Sequence, residues 1–158
     1  WLSGVVGDDG VNDVNAPYKI KNLGIGVEST KSSQSVDYNE LIEIRTNCGD
    51  GTSQMVRGTL LGKGNEPRIV EVDEQAIEVR PVDTLLVMRN VDKPGIVGKL
   101  GTILGDYSVN IANMSLSRAK EGEWALTICE LDEEPPESAL KALEQDPDIH
   151  EARISKQS

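Results

Sequence analysis

The spacing of apolar positions divides the chain into two regions of different texture. In residues 1–82 the apolar residues come in short bursts separated by Gly, Pro, Asn and Asp, the residues that punctuate turns. Residues 1–14 show little periodicity and read as a frayed entry segment. Asn15 to Gly24 predicts a short helix, with Asn15 as cap, Pro17 in the first turn and Gly24 at the stop. A strand is expected over 25–30 and a polar loop over 31–37. Leu41, Ile42, Ile44 and Thr46 then form one β-rich run, and Met55, Val56, Thr59, Leu60 and Leu61 another. The Cys48-Gly49-Asp50-Gly51 turn between them carries the Asp-Gly pair that favours a hairpin. Two more short strands, Arg68 to Asp73 and Ile77 to Arg80, flank a second expected hairpin at Asp73-Glu74-Gln75, and Pro81-Val82-Asp83 breaks the pattern. The region reads as a small mixed domain built on antiparallel sheet.

Residues 83–158 are more regular. Strands are expected over Thr84 to Val91, Val109 to Arg118, Glu123 to Leu131 and Asp148 to Ser155, and helices over Pro94 to Tyr107 and Pro136 to Gln145. The order is βαββαβ, the ferredoxin-like arrangement, with both helices on one face of an antiparallel sheet. Ile96, Leu100, Ile103 and Leu104 form one helical stripe facing that sheet, and Ala139, Leu140 and Leu143 form the other. The fold class is therefore α+β, with a division near residue 82.

Composition changes the picture in two ways. The 158 residues contain 16 Lys and Arg against 27 Asp and Glu, a formal net charge of −11, which excludes a general binder of nucleic acid or anionic membrane. Phe is absent and aromatic residues make up 3%, so any core is aliphatic, and two thin cores of this kind would gain from pairing with a second subunit. No stretch approaches 18 apolar residues and no apolar leader opens the chain, so a reducing, cytoplasmic setting is expected, with Cys48 and Cys129 as buried thiols. The chain begins at Trp1 without a Met, and we expect it to be part of something longer.

Candidate chemistry concentrates between Asn90 and Met114. Pro94 is expected at the first helical position, and Gly95 leaves the backbone amides of the first turn open, where the helix dipole favours a carboxylate. Asp92, just before, has the sign to hold an ammonium group, so the two together suit an amino acid. The plainer reading of the same residues is structural: Asp92 caps the helix, Gly98, Gly101 and Gly105 permit close packing, and Asn110 stabilises a turn.

The stretch Asp92-Lys93-Pro94-Gly95 through Gly105 to Asn110-Ile111-Ala112-Asn113-Met114 resembles the signature of the ACT domain, a ligand-sensing module of amino-acid biosynthetic enzymes. Together with Ser117-Arg118 and Leu131-Asp132 it is most similar to the ACT domain of the D-3-phosphoglycerate dehydrogenase family. Val14-Asn15-Ala16-Pro17, Val56-Arg57-Gly58-Thr59-Leu60 and Pro67-Arg68-Ile69-Val70 resemble the intervening domain preceding it there. The resemblance implies that two ACT domains pair side by side, in a homodimer or homotetramer, and that L-serine or another small amino acid binds where they meet. By position it assigns serine contacts to Asn90, Asp92 and Asn110, with Pro94 and Gly95 shaping the loop and the amides near Ile96 and Val97 taking the carboxylate. The family often carries His or Tyr where Asn90 stands. The resemblance also implies a second, anion-binding site in the first domain, for which Arg68 and Arg80 are the candidates, although Ala76 and Glu130 stand where further basic residues would be expected.

Other signals carry nothing. Gly24-x-Gly26 lacks the third Gly of a dinucleotide fingerprint, and Gly95-x-x-Gly98-Lys99 is too short for a P-loop. His150 is the one histidine and has no ligand-spaced partner, so neither a metal site nor a catalytic nucleophile is expected. Three functions follow: a regulatory region that senses serine, with NAD and catalysis belonging to a parent dehydrogenase and no cofactor in this chain; an assembly module whose ligand site has lapsed; or the similar region of an L-serine dehydratase.

Overall fold

The computed structural model describes residues 40–47, 51–82, 84–119 and 123–156, together with Tyr18, Asn22 and Tyr38. The helix expected from Asn15 to Gly24 lies outside them except at Tyr18 and Asn22, both helical, and the strand and loop expected over 25–37 lie wholly outside them.

Four short strands, β1 (Ile42–Asn47), β2 (Ser53–Leu61), β3 (Glu66–Val72) and β4 (Gln75–Val79), pair antiparallel in chain order. The β3–β4 turn is Asp73-Glu74, with φ of 47° and 66°, the doubly left-handed geometry that matches strand twist in two-residue hairpins. Asp73 ties this turn back to β2: its amide donates to the Met55 carbonyl at 2.8 Å and its carboxylate accepts from the Met55 amide at 2.8 Å. On one face of the sheet Arg57 bridges Glu43 and Glu71, at 2.7 and 2.8 Å. Cross-strand partners Ile44 and Val56, and Ile69 and Val79, mark the opposite, apolar face. Pro67 pairs with Leu60 on β2, beyond the reach of the β3–β4 register, so its missing N–H interrupts no bond to β4.

The second sheet contains β5 (Thr84–Val91), β6 (Ile111–Arg118), β7 (Trp124–Leu131) and β8 (Ile149–Lys156), antiparallel in the order β6-β7-β5-β8. Two helices, α1 (Ile96–Asp106) and α2 (Glu137–Glu144), connect β5 to β6 and β7 to β8. This is the expected ferredoxin-like βαββαβ topology. Leu100, Leu104 and Leu143 are fully buried against Leu86, Met88 and Cys129 of the sheet, with Ile103 and Leu140 packed at the margin. Cys129 carries a free thiol that burial pushes up to about 12, so it stays protonated and behaves as a core residue. Cys48 lies outside the described residues.

The sheet's other face is covered too. Ile77 and Val79 of β4 pack with Leu85, Leu126 and Ile128, flanked by Ile69, Val72, Val87 and Trp124, into a second core shared by the two sheets. It explains why β5 and β7 read as nearly continuous apolar runs. The second sheet covers only the β4 half of the first sheet's apolar face. Toward β1, Ile42 and Ile44 are exposed and line a groove of about 330 Å³ with Val56, Leu60 and Pro67.

Three expectations need correction. The first helix begins at Ile96, not Pro94: its N-cap is Gly95, at φ 90°, and no side chain caps it, so Asp92 is not the cap. The strand expected from Val109 begins at Ile111, because Val109 and Ser108 close α1 by donating to the carbonyls of Leu104 and Gly105, with Ser108 left-handed at φ 60°. Gly98, Gly101 and Gly105 permit no close packing inside the chain, since a methyl group added at any of them would meet nothing within 4 Å.

Candidate ligand site

The turn from β5 into α1 is built so that its amides face outward. Gly95 holds a positive φ that an L side chain adopts only under strain, and this conformation aims the chain into the first turn without a side-chain cap. The Ile96 amide donates weakly to the Lys93 carbonyl at 3.4 Å, while among the described residues those of Val97 and Gly98 have no acceptor. Pro94 lies exposed one residue before the N-cap, where its fixed φ stiffens the approach.

A network of charge pins this turn from the side. Asp148, between α2 and β8, accepts from Lys93 at 2.6 Å and from Lys99 of α1, and its carbonyl accepts from the Val91 amide at 2.8 Å. Lys99 also donates to Asp146 at 2.9 Å. The hydrogen bonds from Lys93 first and Lys99 second hold the Asp148 carboxyl below its ordinary value, and the Asp148 amide followed by Lys99 does the same for Asp146. Lys93 and Lys99 are thereby committed to carboxylates other than Asp92.

The expected ligand residues occupy three different positions. Asn90 is fully buried: its side-chain oxygen accepts from the Thr127 hydroxyl at 2.7 Å and its amide donates to the Val91 carbonyl at 3.0 Å, so it forms the floor beneath the turn. Asp92, with a side chain 16% exposed, lies against Arg118 at the end of β6, 3.2 Å away. Asn110 is exposed at the start of β6 and donates to Asp132 at 2.5 Å. Asp92 and Asn110 thus lie at opposite ends of an eight-residue strand, about 25 Å of extended chain. Arg118 and Asp132 entered the sequence reading only as parts of a motif; pairings across such separations leave no local signal.

Neither basic candidate in the first domain is free. Arg80 donates to the buried Glu130 carboxylate through Nη2 at 2.5 Å, Nε at 2.9 Å and its own amide at 3.0 Å, and Asn113 adds a fourth bond at 3.1 Å. Burial pushes the Glu130 carboxyl up, but the hydrogen bonds from Arg80 and Asn113 outweigh it and leave the value below the ordinary one. Arg68 pairs with Glu66 at 2.7 Å and with Glu78 at 3.7 Å. Among the described residues no cluster of His, Cys, Asp or Glu has the arrangement to hold a metal ion, and no helix is long and apolar enough to cross a membrane. His150 lies exposed on β8.

The sheet order and helix placement are those of a ferredoxin-like domain behind a small antiparallel sheet, the class in which ACT domains fall. Residues 84–148 match the ACT domain family, and residues 2–73 match the D-3-phosphoglycerate dehydrogenase intervening domain. The chain is similar to one region of proteins that carry the name D-3-phosphoglycerate dehydrogenase. It is 34% identical over 142 residues to the enzyme of Mycobacterium leprae, spanning 90% of this chain and 27% of that protein. It is 36% identical over 133 residues to that of Synechocystis, 84% of this chain and 24% of the relative. The Bacillus subtilis enzyme is 31% identical over 147 residues, 93% of this chain and 28% of the relative. The chain thus spans about a quarter of the length of these relatives.

Proposed function

We propose that this chain is the serine-sensing and subunit-pairing region of a cytoplasmic, NAD-dependent D-3-phosphoglycerate dehydrogenase, divided near residue 82 into an intervening domain and an ACT domain. In this reading L-serine binds between two copies: Asp92 takes the ammonium, the Val97 and Gly98 amides beyond Gly95 and Ile96 take the carboxylate, Asn90 supports the turn from below, and Asn110 of the second copy closes the site. NAD and the catalytic residues belong to the dehydrogenase part.

One observation carries the proposal. Asp92 sits at the end of β6 and Asn110 at its start, so a single chain cannot bring them to one ligand. Antiparallel pairing of two β6 edges through a twofold axis can, because it sets the start of each strand beside the end of the other. β6 is an edge strand, and the exposed faces of Gly98, Gly101 and Gly105 with the half-exposed Val97 leave α1 room for close approach by another body. We do not extend the proposal to an anion at Arg68 and Arg80, since it would have to displace Glu66 and the buried Glu130.

Titrating L-serine into the 158-residue chain is expected to raise its melting temperature and slow amide exchange around Ile96, and Asp92→Ala is expected to abolish both effects. The absence of any shift at millimolar serine refutes the sensing function. A dimer by light scattering that binds no serine would instead mark an assembly module with a lapsed site, a reading favoured by the internal partners of Asn90, Asp92 and Asn110.

A further inference from the structure

We propose that Arg118 is a built-in competitor for the cation seat at Asp92, and that displacing it makes the site selective for ligands carrying an ammonium group. This deepens the serine-binding reading and rests on it.

The Asp92 side chain is 16% exposed, and the group lying on it is the Arg118 guanidinium, whose own side chain is 74% exposed. A carboxylate shielded by a side chain that itself stands in solvent is shielded by something free to move. The backbone at Asp92 is fixed independently: its amide donates to the Glu123 carbonyl at 3.4 Å, and the neighbouring Val91 amide is held by Asp148. The other two basic residues near the turn do not compete, because Lys93 and Lys99 are held by Asp148 and Asp146. Arg118 is thus the one cation, among the described residues, paired with Asp92.

An incoming ammonium must exchange with that guanidinium. A ligand without a cation cannot, because it would strand a largely covered carboxylate with neither water nor a counter-charge. Arg118 lowers the affinity of ammonium ligands by the strength of the pair with Asp92 that they must break, and a ligand without an ammonium gains nothing from its removal. Half-exposed ion pairs of this kind are weak, so the competition amounts to about two- to five-fold in dissociation constant.

The test is calorimetric titration of the full 158-residue chain with L-serine and with N-acetyl-L-serine, which lacks the ammonium. Arg118→Gln is expected to bind L-serine about two- to five-fold more tightly than the unmodified chain, with no gain for N-acetyl-L-serine, and Arg118→Lys, which keeps a cation at the seat, to bind near the original affinity. A residue with only a structural role would move affinity downward or not at all. Equal or weaker serine binding by Arg118→Gln overturns the role of Arg118 while leaving serine sensing intact. Binding by neither the unmodified chain nor Arg118→Gln overturns both, and binding gained only in Arg118→Gln supports the role of Arg118 while overturning serine sensing by the unmodified chain. Because Arg118 is exposed, unchanged far-ultraviolet circular dichroism of the variant checks that the fold is preserved.

Discussion

At the scale of single residues, the backbone carries costs at a few positions, and each occurs where a turn demands it. Asp73 and Glu74 both sit at positive φ. Asp73 is held there by its two bonds to Met55 and by the Arg89 guanidinium, 3.0 Å from its carboxylate, whereas Glu74 is an exposed glutamate in a position that suits glycine. Glu74→Gly would convert the turn to Asp-Gly and is expected to stabilise the chain by about 1 kcal/mol, measured as a raised denaturant midpoint at unchanged slope. A lowered midpoint would mean that the Glu74 side chain contributes more than its backbone strain costs. The sequence marked this hairpin from its flanking strands, but the glutamate gave no hint of its conformation. Pro94-Gly95 was similarly legible as a helix start, yet its pattern did not show that Gly95, not Pro94, would be the boundary, because only the left-handed φ of Gly95 distinguishes the two.

At the scale of elements, the α1 turn depends on a loop that follows another helix. Asp146 and Asp148 precede β8 and hold Lys93 and Lys99, so the first helix is anchored by charge as well as by Leu100 and Leu104. Both carboxyls lie below their ordinary values in the folded chain, which means that the unfolded chain binds protons more readily. Their contribution is therefore complete above the unfolded aspartate value of about 4 and is lost as pH falls through the lower, folded value. Asp148→Asn is expected to be less stable than the unmodified chain at pH 7, with the difference narrowing below about pH 4. Thermal melts of the two proteins from pH 7 to pH 2.5 check this, and a difference independent of pH would assign the effect to something other than charge. Element positions in this domain were largely legible, since α1 and α2 each carry one apolar stripe and β5 and β7 are nearly continuous apolar runs. The ion pairs were not, because Lys99 and Asp148 meet only after the chain has crossed the sheet.

At the scale of the whole molecule, the two sheets do not have independent cores. Ile77 and Val79 of the first sheet complete the packing of Leu85, Leu126 and Ile128 in the second, and the buried Glu130 of β7 holds Arg80 just past β4. Arg89 adds a second tie: it pairs with Asp73 of the first domain and lies 4.8 Å over the Trp124 ring of the second. The apolar runs of β5 and β7 do not reveal in the sequence what covers their second face, because an outward apolar face fits a partner subunit as well as a neighbouring domain. Its occupant here is β4, so the two sheets should unfold together. Val79 is 1% exposed in the shared core, and Val79→Ala removes two methyl groups for a loss of about 2 kcal/mol. The variant is expected to lower amide protection in β5 and β7 as much as in β2 and β3, and to retain a single transition in both denaturant and heat. Destabilisation confined to the first sheet, or a melt resolved into two steps, would show that the domains move independently. A cooperative loss would show that the β5–α1 turn and β4 belong to one continuous packed core.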